Sequence, residues 1–233
     1  YVSGHDLSKR MPLWIKPDKK VSVADVLAIF RDTYGGTEYD MTRTLTAVNR
    51  KGETAKSAIA TPFMSGDLLG LFRIRRERTI CSPAATYLQI TQSRDWLPGP
   101  IGGIVWLGYD NPATTPHVPI YIGIAQMPAS YMVDGRWAFS RDCAWWAFRT
   151  VSRLANFRYQ EMSQDILKVW KEIEDRAFAG QAKLEEEALA LYKKDPKKAR
   201  ELLTKYSHDL ANGAVAAYWK LLDDLWLKYS GSF

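Results

Sequence analysis

The side chains that most often do chemistry are few in this sequence and lie far apart. The chain contains two cysteines, Cys81 and Cys143, and three histidines, His5, His117 and His208. Two cysteines are too few for a disulfide framework, and none of these residues has the spacing of a metal-binding motif. No GxSxG, HExxH, phosphate-loop or dinucleotide-binding motif occurs either. We therefore expect no metal, no cofactor and no complete nucleophile system in this chain.

Both cysteines are predicted to be structural. Cys81 follows Thr79 and Ile80 on a predicted strand, and free cysteine is among the residue types most often buried. Cys143 stands in a tryptophan-rich segment that is predicted to be helical and part of the core. Neither has a histidine close by in sequence, although a base that is distant in sequence can still be near in space.

Polar residues that could bind a substrate stand at the ends of predicted strands. They are Arg78, Gln92, Arg94, Asp110 and Asn111. An arginine suits a substrate carboxylate because its guanidinium can donate two parallel hydrogen bonds. The alternative is a structural role, in which Arg94 pairs with Asp95 or caps a turn.

Composition narrows the class of protein. The chain has 233 residues, of which 46% are hydrophobic and 25% charged, as in an ordinary globular domain. Its net charge is +6. The basic residues are interleaved with acids, as in RIRRER, whereas a nucleic-acid footprint clusters cations on one face. No apolar run approaches the length of a membrane span. We expect neither a nucleic-acid partner nor a membrane.

The first two thirds of the chain predict one helix, a loop and a small sheet. VSVADVLAIFRDTY predicts a helix that Ser22 and Asp25 cap and that Gly35 and Gly36 end. Residues 37–70 have no clear periodicity and predict a long loop. Alternation in RTICSPAATYLQITQSR predicts a strand, and GGIVWLGYD and VPIYIGIAQMP predict two more. Short turns between them indicate an antiparallel meander.

The remainder is predicted to be helical. Ser140 is the expected first cap, Gly180 an expected end, and Asp195 with Pro196 a restart. A break is predicted at Asn212 and Gly213. Strands followed by helices indicate an α+β fold, with a sheet part over residues 1–136 and a helical part over residues 137–233. Three strands make a thin sheet, so we expect partner strands from elsewhere.

Five segments resemble the dipeptidase A type family of cysteine peptidases, which belongs to the N-terminal-nucleophile (Ntn) hydrolases. In chain order they are KPDKKVSVADVLAIFRDTYGGTEYDMT, RTICSPAATYLQITQSR, LPGPIGGIVWLGYDNPATTPHVPIYIGI, FSRDCAWWAFRTVSRLANFRYQEMSQDI and LYKKDPKKARELLTKYS. The succession of QSR, an LPxxIGG turn and a WxGxD strand is specific. The resemblance covers nearly the whole chain.

The resemblance implies a four-layer αββα sandwich and the hydrolysis of dipeptides. Residues 1–136 would be the C-terminal part of the Ntn sheet domain, and residues 137–233 a helical region of the same domain. In this superfamily the nucleophile is an N-terminal cysteine whose own α-amino group serves as the base. This chain has Tyr1 at that place. We therefore expect the nucleophile upstream of Tyr1, no catalytic residue in this chain, and no activity from the chain alone.

The resemblance also carries expectations about partners. They are a dipeptide substrate and the upstream segment of the same protein, while a homo-oligomer is left open. On the matching positions, Arg78, Gln92 and Arg94 are candidates for orienting the substrate, with Asp110 and Asn111 behind them. The compartment would be the cytoplasm, or the exterior if a signal peptide lies upstream.

Three alternatives remain open at this point. The chain could be a non-catalytic binding or structural remnant of the same fold. It could belong to an Ntn amidase that acts on another amide, such as an acyl-amino acid. It could also be a basic helical interaction protein that binds a polyanion through residues 183–205, in a salt-sensitive way.

Overall fold

The computed structural model describes residues 12–48 and 51–231, which form a small antiparallel sheet packed against long helices. The strands are β1 Thr46–Val48, β2 Thr54–Lys56, β3 Tyr87–Ser93, β4 Gly103–Tyr109 and β5 Val118–Tyr121. The helices are α1 Val23–Phe30, α2 Gly66–Leu71, α3 Gly99–Gly102, α4 Ala144–Ala155, α5 Tyr159–Tyr192 and α6 Pro196–Ser230. The predicted α+β class is confirmed.

Helix α1 begins where the sequence predicts and ends earlier. The Ser22 hydroxyl accepts a hydrogen bond from the Asp25 amide, and the Asp25 carboxylate accepts one from the Ser22 amide, which completes a capping box. The helix ends at Phe30 rather than at Gly35. The Arg31 side chain turns into a buried ionic cluster, and Tyr34 takes a left-handed backbone conformation that a helix cannot contain.

The prediction of a long loop over residues 37–70 was wrong in part. Strands β1 and β2 pair antiparallel, with Ala47 opposite Ala55, and α2 follows with Ser65 as its N-cap. The strands have three residues each and are fully exposed, so they show no alternation between buried and exposed positions. Elements this short leave no hydrophobic period to detect.

The predicted three-stranded meander is confirmed. The sheet order is β3-β4-β5, and both pairs are antiparallel. Strand β5 is buried at all four positions, as its apolar composition predicts. The first strand is shorter than predicted: it begins at Tyr87, so the placement of Cys81 on a strand was wrong. Cys81 lies in the irregular segment before β3, where the proline at position 83 has no backbone N–H to donate to a ladder.

The two faces of the sheet have different surroundings. Ile104 and Trp106 of β4 are fully buried on the helix side, where Trp106 stacks on Phe178 of α5 with centroids 4.4 Å apart. On the opposite face Val105 and Leu107 are only partly buried. The β3 residues on that face are exposed, and no described strand pairs with the outer edge of β3. The sheet is thus open over β3 and half-open over β4.

The helical part has fewer breaks than the sequence predicts. The first helix, α4, is capped at Cys143 and not at Ser140, whose hydroxyl instead accepts from the Asp142 amide in the preceding turn. Helix α5 runs through Gly180, and α6 runs through Asn212 and Gly213. The packing of these two helices along one another outweighs the weak helix propensity of glycine. The restart at Asp195 and Pro196 is confirmed, with Asp195 as the N-cap.

Helices α4, α5 and α6 build one core with the sheet. Fully buried members include Phe148 of α4, Ile166 of α5, and Leu203 and Tyr218 of α6. The Tyr218 hydroxyl donates to the Thr114 carbonyl at 2.6 Å, which fixes the β4–β5 connection to α6. Among the helices of the described segments, none has the length and apolar composition that crossing a membrane requires.

Candidate functional site

The turn after β4 holds the most unusual polar residue of the sheet. Asp110 has a φ of 66°, a left-handed conformation that is uncommon outside glycine, although aspartate adopts it more often than most residues. Its amide donates to the Thr86 carbonyl at 3.0 Å, which fixes this turn to the start of β3. Its buried carboxylate pairs with Arg149 of α4 at 2.5 Å, while Oδ2 has no hydrogen-bond partner among the described residues.

Asn111 follows and holds Cys81. The Cys81 thiol donates to Asn111 Oδ1 at 3.2 Å, and the same oxygen accepts from the Ala113 amide at 3.1 Å. Burial raises the pKa of the Cys81 thiol to about 12, since the nearby Ala113 amide and the charge of Arg31 offset it only in part. The thiol therefore stays protonated at neutral pH and is a poor nucleophile.

A buried ionic cluster lies under this turn. Arg31 donates to both oxygens of Glu174, at 2.5 and 2.9 Å, and to the Pro112 carbonyl at 2.9 Å. The ring of Trp170 lies 3.8 Å from the Arg31 guanidinium. The amide of His117 donates to Glu174 at 2.8 Å. The cluster thus anchors the β4–β5 connection to the end of α1 and to α5.

Burial sets the protonation of this cluster. It lowers the pKa of His117 despite the hydrogen bond to Glu174, so the imidazole is neutral near pH 7. Burial alone would raise the pKa of Glu174, but hydrogen bonds from His117 and Arg31 outweigh it, and the net shift is downward. Sequence reasoning missed Arg31 and Glu174, which are 143 positions apart and have no local signal.

Arg94 and Gln92 lie at the other end of β3 and on its helix side. The Arg94 guanidinium binds both oxygens of Glu185, at 2.6 and 2.7 Å, and donates to the carbonyls of Ile101 and Gly102. Gln92 accepts from the Trp106 indole at 3.3 Å. Since each Arg94 nitrogen is engaged, the geometry favours a structural role for Arg94 at the α3 turn.

Arg78 is exposed, and its side chain makes no such contacts with the described residues. It borders a surface cavity of about 820 Å³ with Tyr34, Tyr39 and Arg76. It also borders a second cavity of about 370 Å³ beside Cys81. Arg78 therefore lies near the Asp110–Asn111 end of the sheet, because Cys81 contacts Asn111.

The five predicted site residues thus form two groups and not one site. Asp110 and Asn111 lie together, with Arg78 in the segment that leads to Cys81. Gln92 and Arg94 lie at the opposite end of β3, about six residues or roughly 20 Å along the strand. Their roles in substrate binding stay predictions. Of the histidines, His117 is buried, His208 is partly exposed and His5 lies outside the described residues. In the described segments no three potential metal ligands cluster.

A family model supplies the relationship that the geometry leaves open. The model of peptidase family C69 matches residues 1–172, which is most of the chain. The chain belongs to peptidase family C69. This confirms the resemblance to the dipeptidase A type cysteine peptidases and supports a peptide hydrolase. No curated protein matches the chain closely enough to add to this.

Proposed function

We propose that this chain is part of a cysteine-type dipeptidase whose nucleophile is an N-terminal cysteine outside these 233 residues. The observation that carries the proposal is the match to peptidase family C69 over residues 1–172. The family supports peptide hydrolysis, and dipeptides are the substrate class that the resemblance implies.

The state of the two cysteines supports a nucleophile elsewhere. Cys81 is fully buried, and its raised pKa keeps it a thiol. Cys143 is 1% exposed, and its sulfur donates to the Val133 carbonyl at 3.3 Å. Neither is the first residue of a chain, so neither has an α-amino group to serve as its base. These thiols fit the core of the protein and not a catalytic centre.

An N-terminal cysteine has what both of these lack. Its thiolate attacks the peptide carbonyl carbon, and its α-amine has an ordinary pKa near 8, close to neutral pH. The amine takes the thiol proton and passes it to the departing amine of the substrate. Hydrogen-bond donors stabilise the oxyanion. The C-terminal amino acid of the dipeptide leaves as this amine. Water then cleaves the thioester, which releases the N-terminal amino acid and restores the thiol.

The open sheet offers a place for the segment that carries this cysteine. Tyr87, Gln89 and Thr91 are exposed on one face of β3, and its outer edge pairs with no described strand. We propose that the upstream segment covers this face and completes a four-layer sandwich. Residues 1–136 and 137–233 would then be the sheet part and the helical part of one domain.

The buried polar residues fit positioning roles in that assembly. Asp110 and Asn111 hold the turn after β4, and Arg94 holds the turn before it, each through buried contacts. We propose that they fix the ends of β4, and that Gln92 does the same through Trp106. Arg78 has an exposed side chain, and we propose that it is the member of the set that contacts the substrate.

The test compares the complete protein with this chain alone. Dipeptides and N-acyl amino acids are offered to both, and amino-acid release is measured. The complete protein should hydrolyse dipeptides, lose activity when its N-terminal cysteine is changed to alanine, and keep it with Cys81→Ser or Cys143→Ser. Thiol-dependent hydrolysis by this chain alone, lost on Cys81→Ser, would overturn the proposal. Preference for N-acyl substrates would indicate an amidase, and no hydrolysis a non-catalytic remnant.

A further inference from the structure

The cavity beside Arg78 combines aromatic walls with unpaired charges. It has a volume of about 820 Å³, within the range of small-molecule sites. Tyr34 and Tyr39 line it, with ring centroids 6.4 Å apart and planes at 68°. Arg76 and Arg78 line it as well. No element of the sheet or of the long helices contributes, so the cavity belongs to the segments after α1 and before β3.

The charges of this cavity are poorly matched within the protein. Arg75 pairs with Glu77 at 3.7 Å. The guanidiniums of Arg76 and Arg78 and the carboxylate of Glu38, which is exposed, make no ion pair with any described residue. The cavity therefore presents two free cations and one free anion. A ligand that carries both charges fits it better than a simple anion does.

Backbone strain is concentrated at the same place. The described residues contain three non-glycine positions with positive φ, and two of them, Tyr34 at 61° and Arg73 at 54°, stand at or next to this cavity. Such strain persists only where contacts hold it, and it is common at ligand sites. The Tyr34 amide donates to Asp32 at 2.7 Å, and its hydroxyl donates to the Arg78 carbonyl at 3.1 Å. Tyr34 thus links an aromatic lining residue to a basic one and fixes the backbone of Arg78.

We propose that this cavity binds a free dipeptide as a zwitterion. The ligand carboxylate takes the Arg76 and Arg78 guanidiniums, which can form parallel hydrogen bonds. The ligand ammonium takes Glu38, and an apolar side chain lies against Tyr34 and Tyr39. Use of both termini selects for dipeptides, because a longer peptide separates its terminal charges. The choice of a peptide ligand rests on the proposed function.

The test uses this chain and three probes measured by calorimetry. The probes are leucyl-phenylalanine, its C-terminal amide and its N-acetyl derivative. The amide lacks the carboxylate charge, and the acetylated probe lacks the ammonium charge. We expect the amide and the acetylated probe to bind at least tenfold more weakly than the dipeptide. Arg78→Gln and Arg76→Gln should weaken binding of the dipeptide and leave the affinity for the amide unchanged. Glu38→Gln should weaken binding of the dipeptide and leave the affinity for the acetylated probe unchanged.

Arg153→Gln is the matched control, since Arg153 is exposed on α4 and does not line the cavity. It should bind all three probes as the parent chain does. Equal binding of the three probes, no binding of the dipeptide, or equal loss in Arg153→Gln would overturn the proposal. Binding is measured without hydrolysis. A complete protein that binds dipeptides here but hydrolyses none contradicts the proposed function alone.

Discussion

Buried charges in this protein are held in pairs, and the pair of Arg94 and Glu185 ties the sheet to α5. Their side chains are 8% and 14% exposed, and the Tyr121 hydroxyl adds a donor to Glu185 at 2.8 Å. A buried charge that loses its partner keeps the free-energy cost of its desolvation, and no ionic attraction offsets it. The pair thus holds the sheet against α5, whatever its net contribution to the free energy of unfolding.

We expect Arg94→Met to lower the free energy of unfolding by about 3–5 kcal/mol, because Glu185 is left charged and buried. Urea denaturation followed by circular dichroism measures it. Lys171→Met is the control, since Lys171 and its partner Asp175 are both more than half exposed, and it should cost less than about 1 kcal/mol. A loss for Arg94→Met no larger than that of the control would show that the pair is not buried in solution.

The cluster of His117 and Glu174 makes stability depend on pH. Both pKa values are lowered in the folded state. The unfolded chain therefore binds more protons, and acid favours unfolding. Stability should be complete above about pH 6.5, the ordinary pKa of histidine, and fall as the pH drops below it. Loss of the Glu174 contribution follows at lower pH.

His117→Gln should flatten this dependence between pH 5 and pH 7, where the parent slope is at most about 1.4 kcal/mol per pH unit from this group. Denaturation midpoints at several pH values provide the measurement. His208→Gln, at a partly exposed position on α6, should keep the parent slope. Equal slopes for all three proteins would place the acid sensitivity elsewhere.

Among the helices and strands, sequence patterns predicted those features that depend on a regular hydrophobic period or on neighbouring residues. The meander, the α1 capping box and the Asp195 start of α6 follow from alternation and from caps that lie within three residues. The cluster of Arg31 with Glu174 and the pairing of Arg94 with Glu185 join residues 143 and 91 positions apart, which no local pattern encodes. The helix ends predicted at Gly180 and Gly213 were wrong, because both residues lie inside long helices. At Gly180 a Cβ would lie 3.1 Å from the Tyr206 hydroxyl, so close packing accounts for that glycine inside a helix.

Gly213→Ala tests the continuity of α6. An added Cβ would meet its nearest neighbour, Arg176, at 3.7 Å, which is an ordinary contact. We expect a gain of about 1 kcal/mol, the helix-propensity difference between glycine and alanine. Thermal unfolding detects it as a higher midpoint. A loss would indicate a break at Gly213.

Gly108→Ala is the contrasting change. Its Cβ would lie 2.7 Å from the buried His117 ring, so we expect a loss of about 1–3 kcal/mol from overpacking.

At the scale of the whole molecule, one strand stands out. Strand β3 has seven residues, YLQITQS, without charge, proline or glycine, and its outer edge is unpaired within the described residues. Native proteins protect such edges with lysine, proline, bulges or a covering segment. In the proposed assembly the upstream segment supplies that cover, and in the chain alone a second copy can take its place.

We therefore expect the isolated chain to self-associate through β3. Gln89 lies on the open face opposite Leu107 of β4, so Gln89→Lys would place an ammonium group there and should weaken association at least tenfold. Sedimentation velocity over a concentration series measures this. Gln164→Lys adds the same charge at an exposed position on α5 and should associate as the parent does. Adding the upstream segment should suppress self-association of the parent, because both occupants would cover β3. A parent chain that stays monomeric at its highest soluble concentration, or a Gln89→Lys variant that associates unchanged, would show that β3 is not the contact.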